Sequence, residues 1–341
     1  MIPGMSRSAS EQLAGVELAD PKLRAVLEQG LQEVEEVLHR EVQSDFRLLT
    51  ETSLHLVDAG GKRFRPLFTL LAGQFGPDQT RTAEVVRAAA VVELVHLATL
   101  YHDDVMDEAT MRRGAVSANA RWDNTVAILT GDFLFAHASR LVADLGPEAV
   151  RIIACTFAEL VTGQMRETLG PVGGIDPVDH YLAVISEKTG SLIATAGRYG
   201  AMFSGADPDR IEAVRRFGKT IGTAFQISDD IIDIASPAAQ SGKTPGTDLR
   251  EGVRTLPMLY ALADGGPDGD RLRALLAGPL TDDELIAEAL WRLRESPGLD
   301  QAVRALRSYT DAARAELAVL PPCSARDALA SVTDYLAART G

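Results

Sequence analysis

The sequence has very little cysteine and few aromatic residues. Of its 341 residues only Cys155 and Cys323 are cysteines, and 5% are aromatic. Two cysteines do not form a disulfide framework or a cysteine-ligated metal site, so both are expected to be free thiols. Scarce aromatic residues beside abundant alanine, leucine, valine, glutamate and arginine favour helices over sheets.

Positive charge is also in deficit. The chain carries 34 lysine and arginine residues against 48 acidic ones, a formal net charge of -14. Such a surface repels a nucleic-acid backbone, which argues against general nucleic-acid binding. It also repels diphosphates, so a diphosphate-binding site would need metal ions or a local group of basic residues.

Long uncharged apolar runs are absent as well. The N-terminal residues lack the apolar core of a signal peptide. The most apolar long stretch, residues 83 to 101, contains four polar or charged residues that a lipid-spanning helix rarely tolerates: Glu84, Arg87, Glu93 and His96. We expect a soluble cytoplasmic protein, with at most transient membrane contact because no basic amphipathic helix is evident.

Helical periodicity runs through most of the chain. Between residues 24 and 40, Leu27, Leu31, Val34 and Leu38 recur every three or four residues on one face. Similar stretches cover roughly 81–107, 124–143, 147–168, 190–203, 208–235 and 280–318. Glycine and proline pairs mark the breaks, and residues 236–248 form the longest candidate loop. We predict a flexible segment over residues 1–20 and one large all-α domain over residues 21–341.

An acidic motif ends the most apolar of these stretches. It runs Asp-Asp-Val-Met-Asp from Asp103 to Asp107, and these two aspartates project from one helix face. Like charges at this spacing are destabilising unless a cation lies between them. Mg²⁺ suits such oxygen ligands, especially when diphosphate oxygens complete its coordination. Taken alone, the motif also fits a solvated acidic helix end.

A second motif repeats the spacing as Asp-Asp-Ile-Ile-Asp from Asp229 to Asp233, again among apolar residues. Carboxylates in apolar surroundings are costly to bury without a partner. Two such clusters fit a site in which several metal ions hold one diphosphate from opposite walls, and they make a merely solvated face a poor explanation.

Basic residues accompany the acidic motifs. Gly-Gly-Lys-Arg-Phe-Arg-Pro, from Gly60 to Pro66, concentrates positive charge at a flexible backbone, and Arg112–Arg113 follows the first acidic motif. Guanidinium groups match phosphate oxygens in bidentate fashion, and lysine acts as a point charge. The combination indicates phosphate binding.

With these motifs the sequence resembles the trans-isoprenyl (polyprenyl) diphosphate synthase family over about residues 25 to 335. It is most similar to long-chain, hexa- to decaprenyl, members. The other matching positions are His96, Gly131-Asp132-Phe133-Leu134, Lys188-Thr189-Gly190, Phe225-Gln226 and Gly242-Lys243. The resemblance implies an all-α bundle of the isoprenoid synthase type with a central substrate cavity. Family members are commonly homodimers.

The resemblance also implies residue roles. Up to three Mg²⁺ ions would be held by the two acidic clusters: Asp103, Asp104, Asp107, Asp229, Asp230 and Asp233. Isopentenyl diphosphate would be held by Lys62, Arg65, His96 and Arg113, and the allylic diphosphate by Arg112, Lys188 and Lys243. Thr189 and Gln226 would direct oxygen dipoles towards an allylic cation, and with Lys188 they form the expected catalytic set.

The implied reaction ionises an allylic diphosphate, attacks the cation with the isopentenyl double bond and removes a proton. The largest catalytic help is then electrostatic, and no protein nucleophile is needed. Two rivals are a terpene cyclase, which normally has a different second metal motif, and a non-catalytic partner subunit, which usually loses its acidic motifs.

Product length is predicted from the helix that enters the first motif. Val95, Ala98 and Thr99 precede Asp103 on one face and are small or medium in size. Bulky aromatic residues there would stop chain growth early, whereas each open helical turn adds about 5.4 Å, close to one isoprene unit. We expect a long-chain product of roughly C30 to C50 for a quinone side chain, with a C15 to C20 product as the alternative. Phe133 or Phe135 could form the floor.

Overall fold

The computed structural model describes residues 12–13, 16–77, 83–235, 245–263 and 267–339, and most of them are helical. The longer helices are α1 (Pro21–Glu41), α2 (Arg47–Asp58), α3 (Phe64–Ala72), α4 (Ala83–Met106), α5 (Ala118–Arg121), α6 (Asn124–Ala143), α7 (Pro147–Leu169), α8 (Pro177–Ile185), α9 (Ser191–Phe203) and α10 (Pro208–Ala235). They continue with α11 (Thr247–Glu251), α12 (Leu256–Ala263), α13 (Pro267–Leu275), α14 (Asp283–Glu295), α15 (Pro297–Glu316) and α16 (Ser324–Ala338). Short 3₁₀ turns cover Gly73–Phe75 and Leu317–Val319, and a π-helical turn covers Ser186–Gly190. The predicted all-α class is confirmed.

The strands are minimal. β1 (Gln12–Leu13) pairs antiparallel with β2 (Val16–Glu17), and β3 (Met111–Arg112) pairs antiparallel with β4 (Ala115–Val116). Each strand has two residues, which agrees with the absence of an alternating strand pattern in the sequence.

The chain divides into two compact units. The first comprises residues 1–157, 192–215 and 317–331, and the second comprises residues 158–191, 216–316 and 332–341. The sequence predicts one domain over residues 21–341, and that remains a prediction.

Helix α4 is the core helix of the first unit. It is apolar on all faces, and most of its residues are buried, including Val91, Leu94 and Leu97. A helix that is hydrophobic all round is stable only when other elements surround it. Helix α1 supplies part of that cover through Leu27, Val34 and Leu38, which are buried as their spacing predicts.

The second unit has its own core, built around helices α10 to α14. It consists of Ile234, Leu249, Met258, Ala261, Leu272, Leu275, Leu276, Leu280, Ile286, Ala289, Leu290 and Leu293. This core anchors the end of α10, the helix that carries the second acidic motif.

Asp-Pro pairs begin three helices. Asp20 accepts a hydrogen bond from the Lys22 amide at the start of α1, Asp176 accepts one from Val178 in α8, and Asp207 accepts one from Arg210 in α10. The aspartate satisfies an amide that the helix leaves unpaired, and proline fits the first turn because it has no amide hydrogen.

The helical stretches predicted from periodicity are largely confirmed, with one correction. The stretch over 280–318 is interrupted at Ser296, where the backbone is extended before Pro297 begins α15. The proline ring disfavours a helical conformation in the preceding residue, so the helix ends there. Within the predicted loop 236–248, residues 236–244 lie outside the described residues, and Thr247 already begins α11.

Part of the predicted flexible segment 1–20 is packed. Val16 and Leu18 are buried, the Ser331 hydroxyl donates to the Glu17 carbonyl, and the Ser324 hydroxyl donates to Asp20. Residues 16–20 are therefore fixed against α16, while residues 1–11 and 14–15 lie outside the described residues.

Among the described residues, α6 alone is long and apolar enough to cross a membrane by length and composition, with a mean hydropathy of 1.3. In its most apolar window, 39% of the residues are buried. A core helix of a soluble protein meets the same criterion, so this finding carries no membrane assignment.

Close packing of α3 on α9 gives a stability test. A Cβ at Gly200 would lie 2.0 Å from the Thr69 carbonyl oxygen. Gly200→Ala should lower the free energy of unfolding by about 1–3 kcal/mol or more, because overpacking forces the helices apart. Urea unfolding followed by circular dichroism measures this. Gly278→Ala, where nothing lies within 4 Å, is the matched control; equal stability of the two variants would contradict the packing.

Candidate active site

The first acidic motif lies at the end of α4 in the first unit. Asp103 is half-buried and Asp107 is exposed, with 55% of its side chain accessible. Asp104 is fully buried, and its Oδ1 accepts a hydrogen bond from Arg112 Nε at 2.5 Å. Burial raises the pKa of Asp104, and the arginine opposes that shift. Asp104 therefore holds the Arg112 side chain, while Asp103 and Asp107 lie nearer the surface.

The β3–β4 hairpin directs two arginines to different partners. Arg113 and Gly114 have φ of 53° and 77°, the left-handed values that a tight hairpin turn requires. Arg112, on the strand, reaches Asp104 and lies 3.8 Å from Asp107. Arg113 donates to the carbonyls of Leu56 and Gly60. It thereby fixes the loop that begins at Gly60.

That loop requires its glycines. Gly60 and Gly61 have φ of 79° and 134°, and a Cβ at Gly61 would lie 2.9 Å from Arg113 Cζ. Arg63 is also left-handed, and its side chain pairs with Glu35 and, at 2.9 Å, with Glu93. Arg63 therefore has a structural role, which leaves Lys62 and Arg65 as the predicted ligand-binding residues of the loop.

Arg65 and His96 are half-buried and lie in one basic cluster. Burial lowers the pKa of Arg65, and its Nε has no hydrogen-bond partner among the described residues. Burial and the neighbouring Arg65 and Arg113 hold the pKa of His96 well below its ordinary value, so its imidazole is neutral at pH 7. Glu93, 2% exposed, forms ion pairs with Arg63 and Arg113 and so balances their charge. Among the described residues it forms no ion pair with Arg65. A phosphate oxygen would satisfy the unpaired donor of Arg65.

The second acidic motif lies on α10 in the second unit, and its second aspartate, Asp230, is buried. Asp230 accepts a hydrogen bond from Gln226 Nε2 at 3.0 Å on one oxygen and from the Tyr181 hydroxyl on the other. Burial raises the pKa of Asp230 to about 7, against the lowering effect of these two donors. Both oxygens of Asp230 are therefore engaged, and its role as a metal ligand remains a prediction. In Asp104 only Oδ1 is engaged, whereas Oδ2 has no hydrogen-bond partner among the described residues, so the metal role of Asp104 remains a prediction.

The outer residues of this motif have other partners. Asp229 pairs at 3.0 Å with Arg339, which follows α16 and also contacts the rings of Phe225 and Tyr335. Asp233 accepts hydrogen bonds from the amides of Thr247 and Asp248 at 3.1 and 3.2 Å, and so caps α11. Arg339 carries no motif signature and was not predicted from the sequence.

Lys188 and Thr189 lie in the π-helical turn Ser186–Gly190. Such turns interrupt regular helices and often occur at functional sites. Two glycines allow the turn to pack closely against its neighbours. A Cβ at Gly163 would lie 2.8 Å from the Lys188 amide, and one at Gly190 would lie 2.9 Å from the Lys219 carbonyl. The Lys188 ammonium pairs with Glu167 at 2.5 Å, and Thr189 is half-buried. Lys243 lies outside the described residues.

The predicted chain-length face borders a cavity at one of its three positions. Val95 lines an apolar cavity of about 210 Å³ in the first unit, together with residues of α6 and α7. Ala98 and Thr99 are buried but are not among its lining residues. Phe135 lines the cavity and packs against Phe157, with ring centroids 4.0 Å apart. Phe133 instead packs against His137.

The donor chemistry of both motifs fits Mg²⁺. All the candidate ligands are carboxylate oxygens, the hard donors that this ion prefers, and an arginine already lies beside each cluster. Among the described residues no group of three histidine, cysteine, aspartate or glutamate side chains is close enough to hold a metal alone.

The described residues thus include two aspartate motifs, each with an arginine beside it. The family model for polyprenyl synthetases matches residues 46–293. The chain belongs to the polyprenyl synthetase family. This confirms the predicted family and the predicted enzyme class, a prenyltransferase.

The relatives include both long-chain and shorter-chain enzymes. Nonaprenyl diphosphate synthase of Mycobacterium tuberculosis is 57% identical over 335 residues, which cover 98% of this chain and all of that protein. Dimethylallyltranstransferase of the same organism is 49% identical, over 95% of this chain and 98% of that one. A crystal structure of geranylgeranyl pyrophosphate synthase from Corynebacterium glutamicum, complexed with calcium and isoprenyl diphosphate, is 52% identical with a TM-score of 0.87. It covers 96% of this chain and 100% of that one.

The Arg339–Asp229 pair gives a prediction about metal affinity. A cation at Asp229 would compete with the arginine, so Arg339→Ala should tighten Mg²⁺ binding by about 1.5- to 5-fold, the scale of a partly exposed ion pair. Isothermal titration calorimetry without diphosphate measures this. Arg314→Ala, which breaks the Arg314–Asp334 pair in the same unit, is the control and should leave affinity unchanged. Weaker binding by Arg339→Ala would contradict the competition.

Proposed function

We propose that this protein catalyses the Mg²⁺-dependent head-to-tail condensation of isopentenyl diphosphate with an allylic diphosphate, giving a trans-polyprenyl diphosphate. The observation that carries the proposal is the pairing of each acidic motif with an arginine, Arg112 at the first and Arg339 at the second. An acidic chain with local guanidinium groups beside its carboxylates can hold a diphosphate together with its metal ions.

Isopentenyl diphosphate is assigned to the basic cluster of the first unit. The unpaired Nε of Arg65, the neutral imidazole of His96 and the exposed Lys62 supply its donors. Arg113, predicted as a direct ligand, contributes by fixing the loop through the Leu56 and Gly60 carbonyls. Its second guanidinium nitrogen also lies 3.5 Å from Glu93, so its positive charge is partly neutralised.

Metal binding is assigned to Asp103, Asp107 and Asp229, with Asp233 supporting the second motif and up to three ions in all. When bound, Mg²⁺ would neutralise the charge of the leaving diphosphate. Asp104 keeps Arg112 directed at the first motif, so that this arginine binds the same leaving group. Lys188 has the same task, and it must leave Glu167 to perform it.

The allylic cation is stabilised by fixed dipoles from the second unit. Thr189, in the π-helical turn, and Gln226, on α10, each carry an oxygen that can face positive charge. The released diphosphate is the base that accepts the proton in the final step. No protein nucleophile takes part.

The reaction is tested by incubating the protein with labelled isopentenyl diphosphate, farnesyl diphosphate as the allylic substrate, and Mg²⁺. The label should appear in longer prenyl diphosphates. The purified protein should perform this by itself and lose the activity in EDTA. Asp103→Ala and Asp229→Ala should each lower kcat by about 10²- to 10³-fold or more, because each removes electrostatic stabilisation of the leaving group.

Glu108→Gln is the matched control for this experiment, since Glu108 is an exposed acid just beyond the first motif. It should retain wild-type activity. A purified wild-type protein that consumes no isopentenyl diphosphate would contradict the proposal and favour a partner-subunit role.

We propose a long-chain product, about C30 to C50, for a quinone side chain. Val95 is small for a cavity wall, and the cavity of about 210 Å³ exceeds the ~150 Å³ that holds benzene in an apolar core. Phe135 and Phe157 close part of its lining. The long-chain relative supports this assignment, and the geranylgeranyl synthase structure supports the C20 alternative.

A substitution at the cavity wall tests product length. Val95→Phe places a ring into the cavity, so the main product should shorten towards C15 to C20 while the first condensation keeps its rate. Ser139→Ala, on the same lining, is the control and should leave the product unchanged. Thin-layer or liquid chromatography of the dephosphorylated products measures both. An unchanged product length in Val95→Phe would show that this cavity does not hold the growing chain, and would contradict the assignment.

The last part of the proposal concerns the location and the oligomeric state of the protein. We propose a cytoplasmic homodimer with at most transient membrane contact during product release. Helix α6 exposes 43% of Ile128 and 57% of Leu129, and a second copy of the chain would cover these side chains.

A further inference from the structure

The buried carboxylate of Asp230 fixes the direction of the Gln226 amide. Gln226 Nε2 donates to Asp230 Oδ1 at 3.0 Å. When Asp230 is ionised its carboxylate only accepts hydrogen bonds, so the amide nitrogen must face it. The amide oxygen, Gln226 Oε1, is therefore turned away from Asp230.

Tyr181, on α8, holds the other side of this carboxylate. Its hydroxyl donates to Asp230 Oδ2, and Asp230 is only 4% exposed. Burial and the neighbouring Asp230 raise the pKa of Tyr181 well above its ordinary value, so the hydroxyl keeps its proton. Tyr181 lies seven residues before Lys188 and belongs to none of the motifs recognised in the sequence.

We propose that Tyr181 is a positioning residue that acts through Asp230 to keep Gln226 Oε1 directed at the allylic cation. This inference rests on the proposed function. An amide in the reverse orientation would turn its N–H donors towards the cation and destabilise it. The hydroxyl of Tyr181 thus stabilises the transition state without touching substrate.

The contribution belongs to the ionisation step and not to substrate binding. Tyr181 lies against the carboxylate that faces Gln226, whereas the diphosphates are assigned to lysine and arginine residues. Loss of the hydroxyl should therefore change kcat and leave KM for both substrates within about twofold, the pattern of an interaction made only in the transition state.

A double-mutant cycle tests the proposal. Tyr181→Phe keeps the ring and removes the hydroxyl, and Gln226→Leu removes the amide. Each should lower kcat by about 10- to 100-fold, and the double variant should be no slower than the slower single variant, because residues that act as a unit are not additive. Tyr260→Phe, in the same unit, is the control. It should leave kcat unchanged, and its effect should simply add to that of Gln226→Leu.

Mg²⁺ affinity from calorimetry and the midpoint of thermal unfolding provide readouts besides activity. Both should stay near wild-type values in Tyr181→Phe. Multiplied kcat losses in the double variant, or a loss that appears in KM, would overturn the positioning role. An inactive wild-type protein would instead overturn the proposed function, so the two failures are distinguishable.

Discussion

The pairing of carboxylates with guanidinium groups is the constraint on which the site depends. In a chain of net charge -14, an unpaired carboxylate in apolar surroundings is destabilising, and an unpaired arginine is equally so. Arg112 meets Asp104 and Asp107, Arg339 meets Asp229, and Glu93 lies between Arg63 and Arg113. These pairs keep positive charge beside both acidic motifs.

Burial separates the two kinds of aspartate within each motif. Asp104 and Asp230 are buried and accept hydrogen bonds from a functional side chain, Arg112 in one case and Gln226 in the other. The more accessible Asp103, Asp107 and Asp229 are better placed to bind an ion. Each Asp-Asp pair thus combines a buried aspartate that orients a neighbour with a more accessible aspartate. This explains why two adjacent aspartates are useful at the end of an apolar helix.

The sequence predicts the helices well because apolar residues recur with the helical period and Asp-Pro or glycine pairs mark their ends. It also nominates Lys62, Arg65, His96 and Lys188 as site residues, since each belongs to a motif, and their roles remain predictions. It does not predict Arg339 or Tyr181. Tyr181 meets Asp230 across 49 residues, and no local pattern encodes a contact between distant segments. The buried roles of Asp104 and Asp230 were missed for a related reason, because spacing does not distinguish a buried side of a motif from an accessible one.

The central claim is that this acidic protein binds diphosphate through metal ions that its aspartates hold. The most direct test is isothermal titration of the purified protein with inorganic diphosphate, with Mg²⁺ present and with EDTA in its place. We expect binding with Mg²⁺ and a loss of at least about 100-fold in affinity without it, or about 2.7 kcal/mol. Equal affinity under the two conditions would show that the basic residues alone bind the anion, and would contradict the account.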